Sequence, residues 1–442
     1  MTKVCVIGSG RVGLPLALVC ADVGHNVKLV DVDKKLLSEI SRGISPFYEP
    51  GLTELLKRHV RVSLDATSSL KEGIEASDFI LVTIGTGVKE EKPDIGGLVN
   101  FIDELTHYSL EHKTIILKTT LPLGVTERIS GIIESKTGLY SGKDFFIGFC
   151  PERIVEGRAI AELKALPKIV GGVNDESTQK IADFIFTLGG KVIKVKNSTA
   201  AEFVKLMDNA YRVTRFGFAN DIAHIAELYQ LDAFEIIDAA NESYERNNIP
   251  YPSCGVGGYC LTKDPLYLED SFKAANRGTQ SVWYAAWKSN NRRVEHTANQ
   301  VADALKIKGI DTEASRILIC GITYKENIDD IRESHGLSLA RCLQQRAADI
   351  SILDPWIYQE EVGFKVYSNA EEAFRGKDAA VFTVPHKEFN EMARSNGQRI
   401  EDLVALMRTP ILIDGWGIFR KIRLNNSIIY GGTGLPNAID GR

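Results

Sequence analysis

The sequence predicts an α/β protein of two doubly wound parallel-sheet domains joined by a helical middle domain. Three observations predict it. Short β-rich runs alternate with helical periodicity through the first ~200 residues. That rhythm stops near Thr199 and resumes after about Leu305. At 442 residues and 44% hydrophobic composition, the chain is also too long for one ordinary core. The expected boundaries are 1–198, 199–307 and 308–442, with the Gly and polar stretch Lys308 to Ala314 at the second junction.

In the first domain the strands are expected at Val4 to Gly8, Val27 to Asp31, Phe79 to Thr83, Thr114 to Lys118, Phe145 to Phe149, Ile169 to Gly172 and Val192 to Val195. The middle reads as helices, among them Glu202 to Leu228 and a long stretch from Leu266 to Leu305. In the last domain Arg316 to Gly321, Ile350 to Asp354, Ala379 to Thr383 and Ile411 to Asp414 read as strands.

Composition excludes several classes of function. A net charge of −5 gives no footprint for nucleic acid, so an anionic ligand must be held by local cations and backbone amides. No apolar run approaches the ~20 residues of a membrane span and no leader precedes the first strand, which makes the cytoplasm the expected compartment. The seven cysteines lack metal-ligand spacing, so no metal is expected; Cys5, Cys20, Cys320 and Cys342 sit in apolar patterns and read as core.

Gly8-Ser-Gly10-Arg11-Val12-Gly13 fits G-x-G-x-x-G between a strand and a helix. Such glycines allow a tight turn and bring a pyrophosphate close to the helix N-terminus. Asp31 ends the next strand 18 residues beyond Gly13, where a carboxylate accepts from ribose hydroxyls and repels a 2′-phosphate. This Rossmann-like opening predicts NAD rather than NADP, a preference that Lys34 and Lys35 soften.

Gly257-Gly258-Tyr259-Cys260-Leu261-Thr262-Lys263-Asp264-Pro265 places a cysteine in a glycine-rich turn, beside a lysine that favours thiolate and an aspartate that handles protons. A thiol paired with a nicotinamide cofactor suggests aldehyde oxidation through a thioester. The plain alternative for Lys-Asp-Pro is a helix cap.

Thr199-Ala-Ala-Glu202 reads as a capping box, opening a helix with Lys205 and Asn209 one turn apart on one face. The alternative is a Glu202 to Lys205 surface pair and a solvated Asn209. Cys150-Pro151-Glu152-Arg153-Ile-Val-Glu156-Gly157 and Lys118-Thr119-Thr120 each follow a strand, so both lie at the carboxyl edge of the sheet. There Glu152 can act as a base on water and the threonine hydroxyls can orient that water or the nicotinamide.

Six motifs in one order carry a resemblance over almost the whole chain: Gly8-x-Gly10-x-x-Gly13; Lys118-Thr-Thr-Leu-Pro122; Pro151-Glu152; the Glu202/Lys205/Asn209 helix; Gly257-Gly-x-Cys260-x-x-Lys263-Asp264; and Gly321-x-x-x-Lys325 with Asp330-x-Arg332-Glu333-Ser334. The sequence resembles the UDP-glucose/GDP-mannose dehydrogenase family, NAD-dependent enzymes that oxidise a sugar C6 alcohol to a carboxylate. The resemblance implies that Cys260 is the nucleophile, with Lys205, Asp264, Asn209, Glu152 and Thr120 managing protons, oxyanion and water. It assigns Gly8, Gly10, Arg11, Val12, Gly13, Asp31, Thr83, Thr120, Lys263 and Arg332 to the cofactor. Glu152, Arg153, Glu156, Lys205, Asn209, Gly257 and Lys325 fall to the UDP-sugar, and the assembly implied is a homodimer through the middle helices.

Arg153 and Gly258-Tyr259-Cys260-Leu261 depart from the glucose type, and Pro151-Glu152-Arg153 looks like the branch acting on UDP-N-acetylhexosamines, with UDP-N-acetyl-D-mannosamine the expected substrate. Lys263-Asp264 is closer to the glucose type, so UDP-N-acetylglucosamine and UDP-glucose stay open. The chain departs from the family at Trp416, where an arginine is usual and where Arg420 or the indole itself would substitute. It departs again at Asn220-Asp221, where Asn-Glu is usual. Arg246 is the candidate basic residue donated by a partner subunit. A two-electron β-hydroxyacid dehydrogenase and a non-catalytic nucleotide-sugar binder are the competing readings.

Overall fold

The computed structural model describes residues 2–275, 279–358 and 362–436. The chain clusters into two compact units, Met1–Asn209 with Leu266–Thr279 and Ala210–Pro265 with Gln280–Arg442. Two of the three dividing lines fall inside helices, Ser198–Leu228 and Tyr259–Ala275, and the third follows Thr279.

The first unit carries β1 (Lys3–Ile7), β2 (Asn26–Val30), β3 (Leu64–Thr67), β4 (Phe79–Val82), β5 (Gly87–Lys89), β6 (Lys92–Asp94), β7 (Thr114–Leu117), β8 (Phe146–Phe149), β9 (Lys168–Gly172) and β10 (Val192–Lys194). Eight of these form one sheet in the order β10-β9-β8-β7-β4-β1-β2-β3. Alternate residues of β1 enter opposite layers: Val4 and Val6 pack in one apolar cluster, Cys5 and Ile7 in the other. Two-sided burial explains why the central strands read as continuous apolar runs. The order reverses direction between β1 and β4, so a crevice opens at the carboxyl ends of those strands.

The sheet is parallel except where β8 meets β9 antiparallel, a departure from the all-parallel expectation. β3 also joins the sheet, although its Leu-Asp-Ala-Thr has almost no apolar signal. The β5/β6 hairpin turns through Glu90 and Glu91 at φ 51° and 59°. A two-residue type I′ turn needs positive φ at both positions, usually supplied by Asn-Gly, so a Glu-Glu turn leaves no trace in sequence.

The second unit carries β11 (Arg316–Cys320), β12 (Asp349–Leu353), β13 (Lys365–Tyr367), β14 (Ala379–Phe382), β15 (Ile411–Asp414) and β16 (Ile429–Gly432), all parallel, in the order β13-β12-β11-β14-β15-β16. Ile317 and Ile319 face one core, Leu318 and Cys320 the other. The short strands β13 and β16 extend the four that alternation predicts.

Between the sheets in sequence lie Ser198–Leu228, Ala233–Asn241, Tyr259–Ala275 and Val282–Ile307, all helical. The expected single run from Leu266 to Leu305 is two helices, and Ser281 caps the second by accepting from Tyr284 N at 3.2 Å. The Lys-Asp-Pro run lies within the helix Tyr259–Ala275 rather than at its end.

The capping box does not form either. Asn197 Oδ1 accepts from Ala200 N at 2.9 Å, and the Thr199 hydroxyl donates to Glu127. The Glu202 carboxylate is buried and accepts from Gly124 N at 2.6 Å, Thr126 N at 2.8 Å and the Thr126 hydroxyl at 2.6 Å. It caps a different helix, Val125–Thr137, which follows left-handed Gly124 and has no side-chain cap of its own at that residue. Lys205 and Asn209 are buried as well, so the surface-pair alternative fails.

Cys5, Cys20 and Cys320 are buried as expected, Cys342 is half-buried, Cys150 and Cys254 are also buried, and Cys260 is exposed. Among the described residues no helix is long and apolar enough to cross a membrane.

Candidate active site

In the first unit the three glycines of the opening turn do three different things. Gly8 takes φ +98°, and a Cβ there would meet Thr83 Oγ1 at 2.8 Å. A Cβ on Gly13 would stand 1.9 Å from Gly8 O, so the helix Gly13–Asp22 packs too closely on its strand for any side chain. A Cβ on Gly10 would meet nothing within 4 Å, so packing within the chain does not require this glycine and the space beside it is open. The helix starts after Val12 without a side-chain cap, leaving first-turn amides for a phosphate. Thr83 donates its hydroxyl to Ile7 O at 2.7 Å, which fixes the turn.

The Asp31 carboxylate accepts from Ser9 N at 2.6 Å, the Ser9 hydroxyl at 2.7 Å and Asp33 N at 3.0 Å. Burial pushes its pKa up, but these bonds outweigh burial and hold it below the ordinary aspartate value, so it is ionised at neutral pH. Glycine geometry, an uncapped helix and this carboxylate together fit a dinucleotide. Arg11 pairs with Glu156 at 3.4 Å and lies over the Phe47 ring, which ties the turn to the Pro151-Glu152-Arg153 loop.

That loop is held from several sides. Lys118 Nζ lies 3.2 Å from Glu152 Oε2 and donates to Cys150 O at 3.1 Å. Burial alone pulls this lysine's pKa down, and the Cys150 and Glu152 side chains beside it drive it above the usual value. Burial also raises Cys150, so that residue stays a thiol and the Glu152 carboxylate is the effective partner. Glu152 thus pairs with Lys118 and also accepts Arg153 N at 3.0 Å. Lys205 reaches the same loop, donating from Nζ to Glu152 O at 2.8 Å, and Asn209 is buried one turn further along its helix. Arg153 is engaged by Asp208 at 3.2 Å and Pro167 O at 2.6 Å, so it shapes the loop. Thr120 is half-buried, and its carbonyl accepts from the Thr86 hydroxyl at 2.8 Å.

Sequence reasoning missed Glu49, which accepts from Gly157 N and Ala159 N at 2.8 Å each and anchors the far end of the loop. It also did not assign Lys118 its pairing with Glu152. A lysine ending an otherwise apolar strand was the available signal.

In the second unit the glycine run packs under Cys260. A Cβ on Gly257 would lie 2.3 Å from Glu333 O, and one on Gly258, at φ +96°, would lie 2.7 Å from the Tyr324 ring. Gly258 N donates to Glu333 O at 3.1 Å. Buried His335 lies beneath Gly255 and Gly257, and burial lowers its pKa to about 4. Gly257 is thus needed for close packing, whatever it does for a substrate.

Cys260 is the second residue of Tyr259–Ala275, so the expected glycine-rich turn ends just before it and the thiol stands on the first helical turn. Asp264 sits one turn on, fully buried, and Lys263 Nζ pairs with it at 2.7 Å. Lys263 and Arg332 also flank the Tyr259 ring at 5.0 and 5.5 Å, which brings the Asp330 to Ser334 segment to the start of this helix.

Arg332 bonds to Asp330, with its Nη2 at 2.6 Å from Oδ2. Lys325 is half-buried, and its carbonyl accepts the Thr323 hydroxyl at 2.8 Å. Of the two candidates for the missing arginine, Trp416 donates from Nε1 to Thr383 O at 2.8 Å, while Arg420 is tucked over Phe234 and Tyr251 and pairs with Asp238 at 3.5 Å. Asn220 is buried and accepts Ser253 N at 2.9 Å, which fixes the start of the thiol loop.

The comparisons agree with this geometry along the chain. Residues 2–188 match the NAD binding domain of the UDP-glucose/GDP-mannose dehydrogenase family, 199–292 its central domain and 318–421 its UDP binding domain. The UDP-N-acetyl-D-mannosamine dehydrogenase of Pyrococcus horikoshii is 28% identical over 95% of this chain and 96% of its own. That of Methanococcus vannielii is 27% identical over 93% and 92%. A solved structure of the Pyrococcus horikoshii enzyme superposes with a TM-score of 0.89, covering 98% of this chain and 99% of that one. With a dinucleotide turn, a thiol-bearing helix and a second α/β domain in the family's order, the chain belongs to the UDP-glucose/GDP-mannose dehydrogenase family of NAD-dependent UDP-sugar oxidoreductases.

Proposed function

We propose that the enzyme oxidises C6 of UDP-N-acetyl-D-mannosamine from alcohol to carboxylate, with residues 1–198 carrying NAD, 199–307 pairing two subunits and 308–442 holding the nucleotide. The carrying observation is that Cys260 is the exposed cysteine of seven and stands at the start of a helix, just after a glycine run packed closely on Glu333 and Tyr324. The relatives' names and Pro151-Glu152-Arg153 support the sugar. NAD, held by the Gly8 to Gly13 turn and Asp31, would supply the hydride acceptor for two successive oxidations.

The chain's own residues supply the rest. In the first oxidation Lys205 takes the proton of the C6 hydroxyl, directly or through water. Cys260 Sγ then adds to the aldehyde carbon as its S–H proton passes to water and the C=O π bond opens, and Asn209 and protonated Lys205 donate to the developing oxyanion to give a thiohemiacetal. After the second oxidation the carbon is a thioester. Glu152, oriented by Lys118, takes a proton from water as the water oxygen bonds to C6, and the C–S bond breaks to return the thiol and leave a carboxylate. Asp264 and Thr120 position those protons. The same residues serve UDP-N-acetylglucosamine or UDP-glucose, which remain the alternatives.

A homodimer through the middle helices is supported by an apolar seam. Tyr211, Phe218 and Ile225 recur every seven residues on Ser198–Leu228 at 61, 49 and 52% exposure, and Tyr229 beyond them is 73% exposed. A seven-residue apolar repeat is what a partner helix packs against. Exposed Arg246, over the Tyr244 ring, remains the proposed basic contribution to the partner's site.

The test is NADH formed per mole of sugar, with the three UDP-sugars in parallel. Two equivalents with UDP-N-acetyl-D-mannosamine is the expected result. One equivalent, or two only with another sugar, overturns the mechanism or the substrate respectively.

A further inference from the structure

Three side chains that the proposed chemistry does not use converge on the middle helices. His224 and Glu227 lie three residues apart on Ser198–Leu228, which puts them on one helix face. His296 comes from Val282–Ile307. One ligand atom from each lies within 4.8 Å of the other two. We propose that His224, Glu227 and His296 bind one divalent transition-metal ion of the zinc class.

The donor set selects the class. Two imidazoles and one carboxylate suit zinc, cobalt or nickel, whereas magnesium and calcium take oxygen donors. The spacing is close to what such an ion needs: ligands ~2.1 Å from a tetrahedral centre stand ~3.4 Å from one another. His296 Nε2 and Glu227 Oε2 are 2.6 Å apart and the widest separation is under 4.8 Å, so side-chain rotations that open one pair and close the others reach that geometry. The His224 and His296 rings already meet edge to face at 5.3 Å.

The carboxylate is prepared for the task. Glu227 Oε1 accepts from Arg293 Nη2 at 3.2 Å and Gly434 N at 2.8 Å, which fixes the buried side chain and aims Oε2 at the imidazoles. Outer partners of this kind orient ligands in metal sites. Arg293 also offsets part of the carboxylate's charge, so the affinity falls below that of a closed structural zinc site. Exposed His224 gives an ion a route from solvent and leaves a fourth position to water. A bound ion would join the two helices and, through Gly434, the chain beyond β16.

The test is calorimetric titration of chelator-stripped full-length enzyme with zinc chloride, repeated on His224→Ala, His296→Ala and Cys260→Ser. One equivalent per chain is expected, weakened at least about tenfold by either histidine change and retained in Cys260→Ser. His224 is exposed, so its variant carries little folding risk. Cobalt should give the visible bands of a four-coordinate nitrogen/oxygen site without thiolate charge transfer. No saturable binding by the wild type, or unchanged affinity in His224→Ala, overturns the proposal. Loss in Cys260→Ser would put the ion on the thiol and overturn it equally.

Discussion

Substituting Gly257 by alanine should impair turnover through position alone. The added Cβ would lie 2.3 Å from Glu333 O and 3.1 Å from His335 Nδ1. An ordinary contact needs about 3.4 Å, so one side must yield by roughly 1 Å. Glu333 is poorly placed to yield, since it holds φ +51° without being glycine and its carbonyl already accepts Gly258 N. The thiol loop moves instead, at a cost of about 1–3 kcal/mol, and it carries Cys260 three residues on. A 1 Å misplacement of a reacting group costs about 100-fold in rate. Gly257→Ala should therefore keep a cooperative urea transition and lose roughly two orders of magnitude in kcat, with NAD affinity spared. Gly10→Ala is the control: its Cβ meets nothing within 4 Å, so it should fold normally and raise KM for NAD. A folded Gly257→Ala enzyme with kcat within about threefold of wild type would refute the packing argument.

Cys260→Ser should lose turnover by orders of magnitude while NAD still binds, as read by cofactor fluorescence; loss of cofactor binding would make the cysteine structural. Glu202→Ala strands Gly124 N and Thr126 N without their buried acceptor, and urea titration should show a loss of about 3–5 kcal/mol; a change under about 1 kcal/mol would mean the helix has another cap. For His335, burial lowers the pKa from 6.5 to about 4, so between those values the unfolded chain binds the extra proton. Its stabilising effect is complete above pH 6.5 and declines as pH falls toward 4, so the urea midpoint should drop from pH 7 to pH 5, and less steeply in His335→Gln. Equal slopes would assign the loss to other groups.

The two sheets and the helical middle were legible because buried strands and amphipathic helices impose their periods on the sequence. Where an element lacks an apolar face, as in Leu64–Thr67, or turns through residues outside the usual turn set, as at Glu90-Glu91, the pattern says nothing. Glu202 shows a different limit. Thr199-Ala-Ala-Glu202 has the right spacing for a local cap, but a buried helix terminus far away in sequence makes the stronger claim on that carboxylate. At the site, motif residues were visible one by one. Their pairings were not, because Lys118 with Glu152 and Glu49 with Gly157 are long-range contacts that spacing does not encode. The His224, Glu227 and His296 cluster was hidden for the same reason, since its third member lies 69 residues from its second.

The grip on Asp31 has a consequence for cofactor exchange. A carboxylate offers about four lone-pair directions; Ser9 and Asp33 use three of them, and the Val32 amide is directed at the same group. An adenosine ribose that takes both oxygens must displace the Ser9 hydroxyl, so the serine is an internal competitor for the acid. Removing that hydroxyl should let NAD bind more tightly and leave more slowly. Because the proposed reaction takes two rounds of cofactor exchange for each sugar, a tighter grip of that kind would slow the enzyme down.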